Sequence, residues 1–216
     1  MAAGLIEIER CVVPSGPRVS GLVQLLRTGL PDLPDERVED WVFIDTETTG
    51  LSGGSGTLAF MVGLGRIDAG QLRVRQYLLT RFDAEQLMLT RAAAWAEQRG
   101  FISYNGRSFD IPLLAARCRL HGIGDWVSGR PHLDLLHGVR RAYRRTWPDC
   151  RLATVERRLL NIHRQNDLPG SEAPAAWLAL MQRGEYTQLS AVLTHNRQDL
   201  VSLAELVPRL VDTYHA

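Results

Sequence analysis

The feature that most limits the fold of this chain is an apolar run at 41–44 that ends in two acids, Asp45 and Glu47. A continuous apolar run of this length, bounded by polar residues, predicts a strand buried on both faces. Side chains at positions i and i+2 of a strand point to the same face, so the two carboxylates would converge on one point. Neighbouring carboxylates repel each other, and a hard divalent cation removes that cost. The pair therefore indicates a Mg²⁺ or Mn²⁺ site at the end of a buried strand.

The periodicity of the remaining sequence predicts an α/β layer fold, with a central mixed β-sheet flanked by helices. A turn at 68–70 joins two predicted strands into a hairpin. Further strands are predicted at 58–67, 72–80, 101–104 and 132–134. Helices are predicted at 83–99, 110–121, 154–160, 173–183 and 187–214, with another after Asp134.

Two segments are expected in a chain of 216 residues. Residues 1–40 contain several Pro and Gly residues and predict an N-terminal arm with one short helix near 21–27, whereas residues 41–216 form the main domain. An apolar fraction of 45% and the lack of a long apolar run indicate a soluble protein without a membrane span. The start lacks a basic region typical of secretory signals. Three scattered cysteines fit a reducing cytoplasm.

Two later motifs add acids to the first pair. Asp110 ends the motif Asn105-Gly106-Arg107-Ser108-Phe109-Asp110 and opens a predicted helix, so it is either a site residue or a simple N-cap. His195 and Asp199 are four positions apart and share one face of the last predicted helix. That face is either a solvated surface or part of a site, and its apolar neighbours favour burial.

Taken together, the three motifs resemble those of the DEDD exonucleases, which have the ribonuclease H-like fold. The greatest similarity is to the YprB-type ribonuclease-H-like domain, and it extends over about residues 41–210. Supporting stretches are residues 43–51, the glycine-rich loop at 53–57 with Ala59-Phe60 and Gly63-Leu64-Gly65, and the residues Asp167-Leu168-Pro169-Gly170.

The resemblance implies a 3′-to-5′ exonuclease that hydrolyses the phosphodiester bonds of single-stranded DNA with two Mg²⁺ or Mn²⁺ ions. The implied metal ligands are Asp45, Glu47, Asp110 and Asp199. His195 would act as general base, or else as a structural histidine that bonds a carboxylate. Implied substrate contacts, for some of which core packing or a local helix bond is the alternative, are Thr48, Leu51, Asn105, Phe109 and Asn196.

One spacing departs from the family. Related enzymes carry a Tyr four positions before the last Asp or a His five positions before it, whereas His195 stands four before Asp199. A five-residue step rotates a helix by about 140° beyond a full turn, and a four-residue step by about 40°. His195 would therefore approach the attacking water from a different direction.

The partner implied by these features is single-stranded nucleic acid, with DNA favoured over RNA. All 25 basic residues are Arg, and seven of them lie between 140 and 158 against two acids. This cluster is either a track for phosphates or a solvated face. The alternatives to a DNA exonuclease are an RNA exonuclease, a catalytically inactive nucleic-acid-binding module, and a nuclease domain that works only within a larger assembly. The sequence leaves open whether the chain forms a homo-oligomer.

Overall fold

In the computed structural model, a six-stranded mixed sheet is flanked by helices on both faces, as the sequence predicts. The structure describes residues 4–12, 38–50, 56–165 and 167–215. The strands are β1 (Leu5–Val12), β2 (Trp41–Thr48), β3 (Ala59–Asp68), β4 (Gln71–Leu79), β5 (Gly100–Ser103) and β6 (His132–Asp134). The helices are α1 (Glu85–Ala96), α2 (Asp110–Leu120), α3 (Leu135–Tyr143), α4 (Leu152–Val155), α5 (Ala173–Arg183) and α6 (Leu189–His215). A π-helical turn, Glu156–Leu160, continues α4.

The strands are ordered β1-β4-β3-β2-β5-β6. The first four form antiparallel pairs, and β2, β5 and β6 are parallel to one another. Strand β2 is therefore central, with an antiparallel neighbour on one side and a parallel neighbour on the other. The hairpin predicted at 68–70 is confirmed as the connection between β3 and β4.

Strand β2 is buried on both faces, which explains its continuous apolar run. Val42 and Ile44 pack into a core that includes side chains of α1, α2 and α5. Trp41 and Phe43 pack into a second core, which contains side chains of α3 and α6. Because side chains alternate along a strand, Asp45 and Glu47 follow Phe43 toward the α6 face, whereas Thr46 follows Ile44 toward the α2 face.

Strand β1 was not among the predicted elements. It pairs with β4 along its whole length, so this part of the expected N-terminal arm is the edge strand of the sheet. Ion pairs from Glu7 to Arg75 and Arg91 fasten it to β4 and α1. The short helix expected near 21–27 lies outside the described residues. Within the described ranges, no helix is both long and apolar enough to cross a membrane.

Candidate active site

Asp45 is held by a relay of side-chain amides. Asn196 Nδ2 of α6 donates a hydrogen bond to Asp45 Oδ2 at 2.7 Å, and Gln76 Nε2 of β4 donates to Asn196 Oδ1 at 2.8 Å. The backbone of Gly63 in β3 makes room for this relay, because a Cβ there would lie 2.8 Å from Asn196 Cγ. The absence of a side chain at position 63 therefore permits the amide to reach Asp45.

Asp110 is the first residue of α2, and the N-cap position is Phe109. The carboxylate accepts a hydrogen bond of 2.5 Å from Thr46 Oγ1, so Asp110 is joined to β2 and is not an N-cap. Gly106 allows this close approach, since a Cβ there would lie 2.6 Å from Ser103 Cβ and 3.0 Å from Asp110 Oδ2.

Asp199 projects from α6 and forms an ion pair with Arg164. The Arg164 guanidinium also contacts Glu156 Oε1 at 2.5 Å and Asp167 Oδ2 at 3.1 Å. Burial acts to lower the pKa of Arg164, but its hydrogen bonds and the neighbouring negative charges raise it. Arg164 is therefore a fixed cation that neutralises the acids at the α6 side of the site.

His195 is held by Asp167, a residue that the sequence analysis gave no role. Its Nδ1 lies 3.0 Å from both carboxylate oxygens of Asp167, and its Nε2 lies 3.6 Å from Asp199 Oδ2. Arg164 Nη1 is also 3.2 Å from Nδ1, but a guanidinium only donates, so a protonated Nδ1 that donates to Asp167 is the arrangement that satisfies the acid. This leaves Nε2 as an acceptor beside Asp199.

The pKa values show that the four acids share one electrostatic environment. Burial raises the pKa of Asp45 well above its ordinary value, and the charges of Asp199, Asp110 and Glu47 raise it further. Burial likewise raises the pKa of Glu47 to about 8, with contributions from Asp199 and Asp110. Burial raises the pKa of Asp110 to about 6 against the hydrogen bond from Thr46, and burial raises that of Asp199 against the charge of Arg164.

Beside these acids lies an open pocket of about 350 Å³. Its walls include Asp45 and Asp110 together with three of the predicted substrate contacts, Thr48, Asn105 and Phe109. Phe109 is 48% exposed, so its alternative assignment to the core does not hold. Leu51, another predicted contact, lies outside the described residues.

Asn196 differs from the expected substrate contact. Its side chain is fully buried, and its amide is committed to Asp45 and Gln76. The structure therefore places Asn196 behind the acids, where it orients Asp45, and not in the wall of the pocket.

The acids fit a hard divalent cation in their chemistry. Asp45, Asp110 and Asp199 each use one oxygen to accept a side-chain hydrogen bond, and no described side chain donates a hydrogen bond to the other oxygen. Glu47 is 7% exposed and accepts no hydrogen bond from a described side chain. Among the described residues, however, no group of three or more Asp, Glu, His or Cys side chains is arranged so that it could hold a metal ion without moving. Cation binding would therefore draw these side chains together.

The comparisons with known proteins agree with this fold. A sequence model of the RNase H superfamily matches residues 42–211. Protein YprB of Bacillus subtilis (strain 168) is 36% identical over 167 residues, which cover 76% of this chain and 40% of YprB. The chain thus spans well under half the length of that relative.

Two solved structures show the same architecture. The family B DNA polymerase from the hyperthermophilic archaeon Pyrobaculum calidifontis superposes with a TM-score of 0.61 at 14% identity, over 79% of this chain and 24% of the polymerase. ExoI in a complex with SSB-Ct superposes with a TM-score of 0.50 at 13% identity, over 81% of this chain and 42% of that chain. The ribonuclease H-like fold predicted from the sequence is confirmed.

Proposed function

The chain belongs to the RNase H superfamily, and we propose that it is a metal-dependent 3′-to-5′ exonuclease acting on single-stranded DNA. The observation that carries the proposal is the set of four buried or half-buried acids with raised pKa values, two of which, Asp45 and Asp110, line an open pocket. Burying carboxylates close together costs free energy, and such clusters are typical of sites that bind a cation. The 3′-to-5′ polarity and the choice of DNA rest on the resemblance to the DEDD exonucleases.

Asp45 lies at the centre of the proposed cation site, because the other three acids all act on its pKa. Asp45, Glu47 and Asp199 would hold one cation, and Asp45 and Asp110 would help to hold the other. Two bound divalent cations supply a water of lowered pKa and stabilise the charge on the leaving 3′ oxygen. Magnesium and manganese both suit an all-carboxylate set of ligands.

The Asp167–His195 pair is suited to remove the proton from the attacking water. Asp167 fixes the Nδ1–H tautomer, and Nε2 is then the basic nitrogen, on the Asp199 side of the ring. The four-residue spacing between His195 and Asp199 places both side chains on one face of α6, within 3.6 Å of each other. His195 thus acts as the general base and Asp167 as its positioning residue.

The pocket beside the acids is proposed to hold the terminal nucleotide. The exposed ring of Phe109 offers an apolar surface to a base, while Thr48 and Asn105 offer polar groups. Asn105 has a left-handed backbone (φ 66°), and its N–H donates to Asp134 Oδ1 at 2.7 Å. The pocket wall is therefore fixed before a strand enters.

The test uses matched DNA and RNA oligonucleotides labelled at the 5′ end, with Mg²⁺, Mn²⁺ or EDTA. Wild type is expected to produce a ladder of shortening DNA products that requires metal, and Asp45→Asn is expected to produce none. Asp83→Asn, the same substitution at an exposed acid paired with Arg81, is the matched control and should cut like wild type. If both DNA and RNA stayed intact under every metal condition while binding was retained in a gel shift, the protein would be a binding module and not an enzyme. A ladder of products from RNA alone would show that the substrate is RNA and not DNA.

A further inference from the structure

A second and larger groove adjoins the proposed active site. It has a volume of about 780 Å³, and Tyr104 and Asn105 line both this groove and the catalytic pocket. The two spaces are therefore neighbours across a shared wall. We call the larger space the arginine groove, after the residues Arg140, Arg144 and Arg151 that line it together with Trp147.

The arginines of this groove differ from several others in the described part of the chain. Arg66, Arg73, Arg75 and Arg117 each form an ion pair within 4.0 Å of a carboxylate. Among described residues, no carboxylate forms such a pair with the three groove arginines. An arginine that has no acid partner offers its full charge to a ligand.

Asp149 is the acid in the groove wall, and its carboxylate is already engaged. It accepts hydrogen bonds from Arg151 N at 2.9 Å and Thr154 Oγ1 at 2.6 Å, and its charge attracts Arg151 at longer range. The hydrogen bond from Thr154 lowers the pKa of Asp149. One engaged acid leaves the groove with a net positive charge.

The wall of the groove is stiff. Trp147 stacks on Tyr143 with ring centroids 4.1 Å apart and planes within 7°, and the Arg158 guanidinium lies 5.7 Å from the Trp147 ring. The Tyr104 hydroxyl donates a 2.5 Å hydrogen bond to the carbonyl oxygen of Cys150. Because Tyr143 and Arg158 already engage the Trp147 ring, this ring supports the wall and is not free to stack on a base.

We propose that the arginine groove binds the backbone phosphates of the strand that leads away from the scissile bond, on its 5′ side. This inference rests on the proposed nuclease function. It follows from the shared wall, which continues the path of a strand out of the catalytic pocket, and from unpaired guanidinium groups, which match phosphates in charge and geometry. The groove thus binds the strand, while the acids act at its 3′ end.

The test compares two triple variants of equal charge. The groove variant is Arg140→Gln/Arg144→Gln/Arg151→Gln, and the control is Arg81→Gln/Arg119→Gln/Arg183→Gln, at exposed arginines elsewhere. Binding of a labelled single-stranded DNA of about 12 nucleotides, within the usual range of site sizes, is measured in EDTA across a salt series. Hydrolysis of the p-nitrophenyl ester of thymidine 5′-phosphate is measured with Mn²⁺, because this ester has a phosphodiester but no strand.

Removing one arginine that binds a phosphate of a single strand lowers the slope of log affinity against log salt by about 0.7. The groove variant is therefore expected to show a slope smaller by about 2 and an affinity at least roughly tenfold weaker at low salt. The control should keep the wild-type slope, and all three proteins should hydrolyse the ester at equal rates. A groove variant with the slope of the control would overturn the proposal, as would a selective fall in ester hydrolysis at unchanged Tm.

The outcome for the groove is separable from that for the proposed function. If wild type does not hydrolyse the ester or any oligonucleotide, the nuclease proposal fails. The salt slopes of the two variants still decide whether the groove binds strands.

Discussion

Two buried glutamates in this protein have opposite surroundings. Glu85, at the start of α1, is 2% exposed and receives two hydrogen bonds of 2.5 Å from Arg117 and contacts His121 Nε2 at 2.6 Å. Glu47, near the end of β2, is 7% exposed and accepts no hydrogen bond from any described side chain. The two residues have the same carboxylate and nearly the same burial, so the difference lies in their partners.

Glu85 is a structural acid, whereas Glu47 is an acid for which we propose a functional role. Burying a carboxylate costs several kcal/mol unless a cation or donors replace the lost water. Arg117 supplies that replacement to Glu85, whereas no described side chain donates a hydrogen bond to Glu47. Burial raises the pKa of Glu47 to about 8, against the charge of Arg164, which lowers it. Burial alone does not identify a site, whereas burial without an internal partner indicates a place for an external cation.

The largest expected effect is on activity. Glu47→Gln should reduce kcat by roughly 10³-fold, about 4 kcal/mol, because it removes a proposed cation ligand. Glu85→Gln should keep kcat within about threefold, assayed at a temperature at which circular dichroism shows both variants folded. If both substitutions reduced kcat equally, the division between structural and functional acids would fail.

Stability should respond in the opposite order. Glu85→Gln leaves Arg117 with a weakened partner inside the protein and should cost about 3 kcal/mol, which lowers Tm by roughly 6–12 °C. Glu47→Gln removes an unfavourable charge and should keep or raise Tm in EDTA at pH 8. Thermal denaturation of both variants beside wild type measures the contrast, and a fall in Tm for Glu47→Gln would contradict it.

The same contrast predicts how metal-free stability depends on pH. Folded protein keeps a proton on Glu47 up to a pKa of about 8, whereas the unfolded chain releases it near the ordinary value of 4.5. The folded state therefore binds more protons in this window, so the contribution of Glu47 to stability is full below pH 4.5 and is lost as the pH rises through 8. A loss of about 2–4 kcal/mol is expected in EDTA.

Denaturant titrations at pH 5 and pH 8 measure this loss. Glu47→Gln should flatten the dependence, and Mn²⁺ at about 100 times its Kd should restore about 2.7 kcal/mol at pH 8. A metal-free protein that became more stable from pH 5 to pH 8 would show that Glu47 is partnered, like Glu85.

The smallest effect concerns an acid that acts through a neighbour. Asp167→Asn should lower kcat by about 10–100-fold with little change in KM, because the new amide can donate to His195 Nδ1 and no longer fixes the Nδ1–H tautomer. The acidic limb of the pH–rate profile should shift as well, which a purely structural role would not produce. Asp125→Asn, at an acid that accepts backbone N–H bonds in a loop, serves as the control.

The parts of the site that were predictable are those encoded locally. The apolar run of β2 and the two-residue spacing of Asp45 and Glu47 follow from strand geometry alone. The edge strand β1 was missed, although Ile6 and Ile8 alternate with Glu7 and Glu9 in its sequence. That alternation is a usable signal for a strand at the edge of a sheet.

Arg164 and Asp167 were beyond local prediction. They lie in a loop without periodicity, and their partners His195 and Asp199 are 28–35 residues away in the sequence. Nothing in the spacing of these residues marks them as neighbours, because the contact arises when their loop packs against α6. Asp167 belongs to a stretch that supports the family resemblance, but its contact with His195 follows from tertiary structure.

The lack of a side chain at Gly63 also limits which substitutions this position can accept in evolution. Glycine weakens the interior of a strand, so most substitutions in the middle of β3 would be expected to stabilise it. At this position a methyl group would displace the Asn196 amide and, with it, the carboxylate of Asp45. Position 63 should therefore tolerate as little variation as the acids themselves in a scan of all substitutions selected for activity. A residue without a side chain would then be among the most constrained in the protein.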